Sequence, residues 1–176
     1  GFREVGEALG VAHSTAGDWL TALAESYVLF HLYQEANGLP AIDRQRKIYP
    51  TDPFIAQLPA RLAIGQFAPD LSQLAEATLA LCLHRGLVGD KLDRFDAPAR
   101  LFYYRTSGGG EVDFIVPPGP MALESKYVDA PSERESRAMT SNFEEGLLLT
   151  RSAFGTSPRV SAIPASVFAW LLYQGD

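Results

Sequence analysis

From Leu101 to Tyr127 the chain reads LFYYRTSGGGEVDFIVPPGPMALESKY, three β-favouring runs separated by two turns. The first run, LFYYRT, is aromatic, and Ser107-Gly108-Gly109-Gly110 turns it into the alternating run EVDFIV. Pro117-Pro118-Gly119-Pro120 turns again into MALESKY. Alternation puts Val112, Phe114 and Val116 on one face of the second strand and Glu111 and Asp113 on the other. In the third strand Leu123 and Ser125 share a face, and Glu124 and Lys126 share the opposite one. A short antiparallel hairpin then gathers Asp113, Glu124 and Lys126 in one place.

Upstream the period is helical. Phe2 to Leu9 carries Phe2, Val5 and Leu9 on one side and is broken by Gly10. Ser14 is read as the N-cap of a second helix, STAGDWLTALAESY, with Ala16, Trp19, Leu20 and Leu23 as its inner stripe. Tyr27 to Tyr33 is a continuous apolar strand, EANGLPAID a loop, and RQRKIYP a second strand. A helix-turn-helix followed by two strands predicts a winged helix over residues 1–53. Asp52-Pro53-Phe54 ends that unit, because the residue before a proline leaves the helical region.

Residues 54–70 read as a linker containing a short helical stretch, Ile55 to Gly65, interrupted by Pro59. A longer helix runs from Leu71 to His84, helped at its start by Ser72 and stopped by Gly86. Its interior acid, Glu76, is flanked by apolar residues. Either it lies on an exposed stripe with Gln73, or it is half-buried and needs a partner, since an unpaired buried charge costs several kcal/mol. Leu87 to Arg100 reads as loop. After the three strands come a polar helix from Ser132 to Phe143 with Ser132 as N-cap, strands at Glu145–Arg151 and Ser157–Ala162, and a last helix opened by Pro164. The order from the long helix onward is helix–β–β–β–helix–β–β–helix, a mixed α/β core over residues 71–176.

Composition narrows the functional classes. With 47% hydrophobic and 20% charged residues, the chain buries a sizeable core. A net charge of −6 argues against a strongly basic nucleic-acid binder. Residues 1–53 carry Arg3, Arg44, Arg46 and Lys47 against seven acids, and the second helix has Asp18 and Glu25 with no lysine or arginine. Such a helix meets phosphates with the wrong sign, which favours a structural or domain-coupling winged helix over a DNA reader. The wing cations Arg44, Arg46 and Lys47 remain available to a phosphate backbone.

One cysteine, Cys82, excludes an internal disulfide and a cysteine-rich zinc site and fits a reducing cytoplasm; its apolar run LALCL marks it as core. There is no 18-residue apolar run, so no membrane span is expected. His13, His31 and His84 are too scattered for zinc, and Trp19 and Trp170 sit in apolar stripes expected in the core.

Two carboxylates and an ammonium on adjacent strands suit a Mg²⁺- or Mn²⁺-dependent phosphodiesterase. Asp113 and Glu124 would supply hard oxygen ligands with Glu76 from the long helix, and Lys126 would offset charge on the phosphate. The plainer reading is an E-x-K pair on a solvated strand. The spacing of Asp113, Glu124 and Lys126 resembles the PD-(D/E)xK motif of restriction-endonuclease-like proteins, with Val112 where proline is usual.

The resemblance widens over the chain. Lys47-Ile48-Tyr49-Pro50-Thr51-Asp52, Tyr104-Arg105-Thr106, Glu111-Val112-Asp113-Phe114 and Glu124-Ser125-Lys126 follow one another in this order. They look like the uncharacterised domain C-terminal to the ATPase domain of prokaryotic AAA+-type ATP-binding proteins. The departures are Ser125, where a branched apolar residue is usual, and Ala75-Glu76-Ala77, where a glutamate–asparagine pair is usual.

The resemblance implies a winged helix-turn-helix followed by a restriction-endonuclease-like mixed sheet flanked by helices. It implies catalytic Asp113, Glu124, Lys126 and Glu76, a metal held by Asp113, Glu124 and Glu76, and an upstream ATPase domain. ATP belongs to that domain: no G-x-x-x-x-G-K-[ST] occurs here, and Gly108-Gly109-Gly110 is a hairpin turn. Expected partners are DNA or RNA, the ATPase domain and a second copy of the chain. The alternative is an inactive nuclease-fold module that binds, regulates or oligomerises.

Overall fold

Two short helices open the computed structural model, which describes residues 2–62, 70–88, 101–118 and 121–173. α1 (Phe2–Leu9) stops at Gly10, whose φ of +67° lies in the left-handed region that costs glycine nothing. α2 (His13–Glu25) begins two residues earlier than Ser14 as N-cap allows: Ala12 holds the extended cap position and makes no side-chain bond. Ala16 and Leu20 are buried as expected, but Trp19 is 51% and Leu23 41% exposed. α2 packs chiefly on α1 and on β1 (Leu29–Ala36), so only the Ala16–Leu20 line is covered.

β1 pairs antiparallel with β2 (Leu39–Ala41) through a turn in which Asn37 and Gly38 both have positive φ. β2 lies inside the stretch expected to be loop. β1 also pairs antiparallel with β3 (Lys47–Pro50). α3 (Pro53–Leu62) starts where Asp52 Oδ1 accepts the Phe54 N–H at 2.8 Å, and it continues through Pro59. α4 (Leu71–Val88) is capped by Asp70, not Ser72: Asp70 Oδ1 accepts the N–H groups of Ser72 and Gln73. α4 runs on past Gly86 because Leu172 packs over that glycine and holds the turn. The rest of the expected loop, residues 89–100, lies outside the described residues.

The three β-runs appear as β4 (Phe102–Arg105), β5 (Glu111–Val116) and β6 (Met121–Lys126). A 3₁₀ turn at Glu133–Ser136 leads into α5 (Arg137–Asn142), with Ser132 at the cap donating its N–H and hydroxyl to Glu135. β7 (Gly146–Thr150), a two-residue β8 (Gly155–Thr156), β9 (Val160–Pro164) and α6 (Ala165–Leu172) complete the chain.

The fold is mixed α/β. Among the described residues nine strands form one sheet in the order β2-β1-β4-β5-β6-β7-β9-β8, with β3 joined to β1. β1 lies parallel to β4, and β6, β7 and β9 are mutually parallel. The sheet therefore runs across the boundary expected near residue 53. Phe30, Tyr49, Leu83, Phe114, Leu149 and Phe168 form one core cluster between the sheet and α4 and α6. Phe102, Val112, Ile115, Ala122 and Met139 form a second, covered by α5.

The strict alternation expected for β5 fails at one point. Phe102 pairs with Ile115, yet Tyr104 pairs with Val112, so β5 carries an extra residue across from Tyr103. The bulge turns Val112 to the side of Ile115, away from Phe114 and Val116. Trp170, expected in the core, is 59% exposed, while Cys82 is buried as expected.

Candidate functional site

The bulge in β5 sits against the place where the β5–β6 ladder opens. Backbone pairing runs from Val116–Met121 to Phe114–Leu123. One step further, Asp113 Oδ2 accepts the Ser125 N–H at 2.9 Å. A carboxylate thus takes the place of a backbone acceptor, and the strands part there. Asp113 is only 6% exposed, and its charge is met from the N-terminal part of the chain.

That charge partner is Lys47. Its Nζ lies 2.8 Å from Asp113 Oδ1, 2.9 Å from Glu76 Oε1 and 2.7 Å from Glu111 Oε1. The ammonium donates hydrogen bonds to Glu76 and Asp113, and Glu111 completes the ion-pair cluster. Alternation along β3 puts Tyr49 on the same face as Lys47, and its hydroxyl donates to Glu76 Oε1 at 2.6 Å. Burial works against the Lys47 charge, but Asp113, Tyr49, Glu76 and Glu111 outweigh it and hold the ammonium well above the ordinary lysine range. Burial pushes the Tyr49 phenol up, so it stays a donor. Arg105 Nε is 3.8 Å from Glu111 Oε2, directly across the β4–β5 ladder as charge pairing on a hairpin requires.

A second ion pair stands on β6. Lys126 Nζ is 2.7 Å from Glu124 Oε1. Glu124 is 5% exposed, and its Oε2 is buried without a hydrogen-bond partner among the described residues. Burial, reinforced by the Asp113 charge, pushes the Glu124 carboxyl up to about 7, with Lys126 and Lys47 offsetting part of the rise. Burial would lower the Lys126 ammonium, but its bond to Glu124 and the charges of Glu124, Asp113 and Glu76 raise it instead.

Of the four residues expected from sequence, Asp113 and Glu76 converge on Lys47, while Glu124 and Lys126 pair with each other beside them. Lys47, Tyr49 and Glu111 belong to the site as well, and sequence reasoning placed Lys47 only as a wing cation. One signal was available: a lysine sharing a strand face with a core tyrosine must bring its charge inward and so needs carboxylates. Next to Lys47 a cavity of about 410 Å³ is lined by Gln45, Arg46, Tyr103 and Arg105 among others. Arg46 lies over the rings of Phe2 and Tyr33, 5.3 and 4.6 Å from their centroids.

Among the described residues no group of three or more histidine, cysteine, aspartate or glutamate side chains stands ready to hold a metal. The donors nearest to that role are hard carboxylate oxygens, and Glu124 Oε2 is buried without a hydrogen-bond partner among the described residues. Among the described residues no helix is long and apolar enough to cross a membrane. Compared with family models, curated proteins and solved structures, the chain matches none.

Proposed function

We propose that the β5–β6 opening is a nuclease-like site for metal-dependent phosphodiester hydrolysis, in a restriction-endonuclease-like domain that follows an ATPase domain of the AAA+ type. The observation that carries this reading is Glu124 Oε2: a buried carboxylate oxygen with no hydrogen-bond partner among the described residues, next to Asp113 and Lys126. Leaving such an atom unsatisfied is costly, and a Mg²⁺ or Mn²⁺ ion would satisfy it. Asp113 and Glu124 would hold the ion. Glu76 is turned toward Lys47 and Tyr49 and would reach it through water.

A bound divalent ion polarises a phosphate and lowers the pKa of its water. The protein's own groups would do the rest. Lys126, paired with Glu124 at the edge of that site, would offset charge on the phosphate of a DNA or RNA strand. The Ser125 N–H fixes Asp113 in place. The α1–α2 pair and β1–β3 would serve as a winged helix that couples this site to its ATPase and does not read a major groove, since α2 offers Asp18 and Glu25 outward. The buried free thiol of Cys82 accords with a reducing compartment such as the cytoplasm.

The test is cleavage of plasmid and single-stranded DNA and of RNA with Mg²⁺ or Mn²⁺, with Asp113→Ala as control. Metal-dependent cutting lost in Asp113→Ala supports the reading. A second reading, a silent nuclease-fold module that binds or regulates, is favoured by the ion pairs of Lys47, which already neutralise Asp113 and Glu76. Absence of cutting together with metal-independent nucleic-acid binding would select it.

A further inference from the structure

We infer that Lys47 is a built-in cation standing where a second divalent ion would sit, so that the site takes one divalent ion and not two. The inference rests on the proposed reading that Asp113 and Glu124 hold an ion. Three carboxylate oxygens, from α4 and from two positions on β5, converge on the Lys47 nitrogen at 2.7–2.9 Å. Oxygens in this arrangement repel one another unless a cation occupies the centre, and two-ion phosphodiesterases fill such a place with a second metal. Here the chain supplies the charge itself, from a side chain 66 residues away from Asp113.

The ammonium is engaged by three carboxylates, and its side chain is only 16% exposed, which keeps it from a substrate. Lys47 is therefore a positioning residue. It holds Asp113 Oδ1 from one side while the Ser125 N–H holds Oδ2 from the other, which fixes the plane of the carboxylate shared with the ion site. It also ties Glu76 and Glu111 down, so they cannot collect an ion of their own. Arg105 on the far oxygen of Glu111 works in the same direction.

The experiment counts Mn²⁺ bound per chain, by the paramagnetic resonance of free Mn²⁺, in the whole protein and its variants. Wild type is expected to bind one ion. Lys47→Met, which frees Glu76, Glu111 and Asp113 while keeping an apolar stem, is expected to bind two. The added ion should disappear in Lys47→Met combined with Glu111→Gln, and Lys47→Arg should return the count to one.

Two ions in wild type overturn the inference outright. One ion in both wild type and Lys47→Met removes the role given to Lys47 and leaves the nuclease reading standing. No ion in wild type overturns both the nuclease reading and the inference that rests on it. Should Lys47→Met not fold, Glu111→Gln in the wild-type background answers instead. Its count stays at one if Lys47 holds the place, and falls from two to one if an ion does.

Discussion

The Tyr49 hydroxyl and the Lys47 ammonium bind the same oxygen of Glu76, at 2.6 and 2.9 Å. Both donors come from one face of β3, so a four-residue strand fixes the orientation of an acid on α4. Tyr49→Phe keeps the packing against Phe30 and Phe114 and removes one charge-assisted hydrogen bond. The expected cost is about 1.5–3 kcal/mol, read from urea unfolding with an unchanged slope. A loss below about 0.5 kcal/mol would mean that Lys47 alone holds Glu76.

Mn²⁺ is expected to raise the melting temperature of wild type, because it satisfies Glu124 Oε2 and relieves Asp113–Glu124 repulsion. Asp113→Asn should abolish that rise. It should also lower metal-free stability, since it takes one of the three carboxylates from Lys47. Equal Mn²⁺ shifts in the two proteins would remove Asp113 from the ion site.

Glu124 sets a pH dependence of defined sign. Its carboxyl rises from 4.5 to about 7 on folding, so between those values the folded state holds the extra proton. Metal-free stability should therefore fall as pH rises through that window, by roughly 2–3 kcal/mol, and level off above it. The charges of Asp113, Lys126 and Lys47 face the group; burial lowers the His84 imidazole, which adds a slope of the opposite sign in part of the same window. In Glu124→Gln the fall should disappear, leaving the opposite slope of His84, and the variant should be the more stable protein at pH 8.

Neighbouring apolar positions on α2 should differ sharply. Leu20 is 7% exposed and Trp19 51%. Leu20→Ala should cost about 2–5 kcal/mol through the cavity it leaves, and Trp19→Ala less than about 1 kcal/mol. Comparable losses would mean that the Trp19 flank is covered in solution.

Gly146 opens β7 under the buried side chain of Met139. A Cβ added there would stand 2.2 Å from Met139 Sδ. Gly146→Ala should cost about 1–3 kcal/mol by overpacking, and Met139→Ala in the same chain should recover part of it. Additive losses in the double variant would show that the clash is not what limits that position.

Much of this was legible in the sequence wherever local chemistry decides the structure. The three runs from Leu101 to Tyr127 became β4, β5 and β6, because turn residues and alternation act over neighbours. The same hairpin sets Arg105 opposite Glu111. What escaped depends on partners far along the chain. The bulge that turns Val112 away from Phe114 lies opposite Tyr103 in the long-range β4–β5 register, and alternation cannot register an inserted residue. Trp19 and Leu23 fit an inner stripe, but only α1 and β1 lie there to cover α2. Lys47 looked like a surface cation because its three carboxylates lie on α4 and β5, and no spacing rule links them to β3.

The parallel pairing of β1 with β4 bears on how the molecule assembles. Gln34 Nε2 reaches the Arg105 carbonyl across 71 residues of chain at this seam. Closing a loop of that length precedes any reward from the contacts it makes, whereas β4, β5 and β6 meet through short turns. The hairpin strands should therefore form early and β1 with β3 dock late. Lys47 travels with β3, so the carboxylates of β5 wait for their counter-charge until the final step. Substitutions in β3 should speed unfolding more than they slow folding, and a newly made chain passes through a stage in which its acids are gathered and still unneutralised.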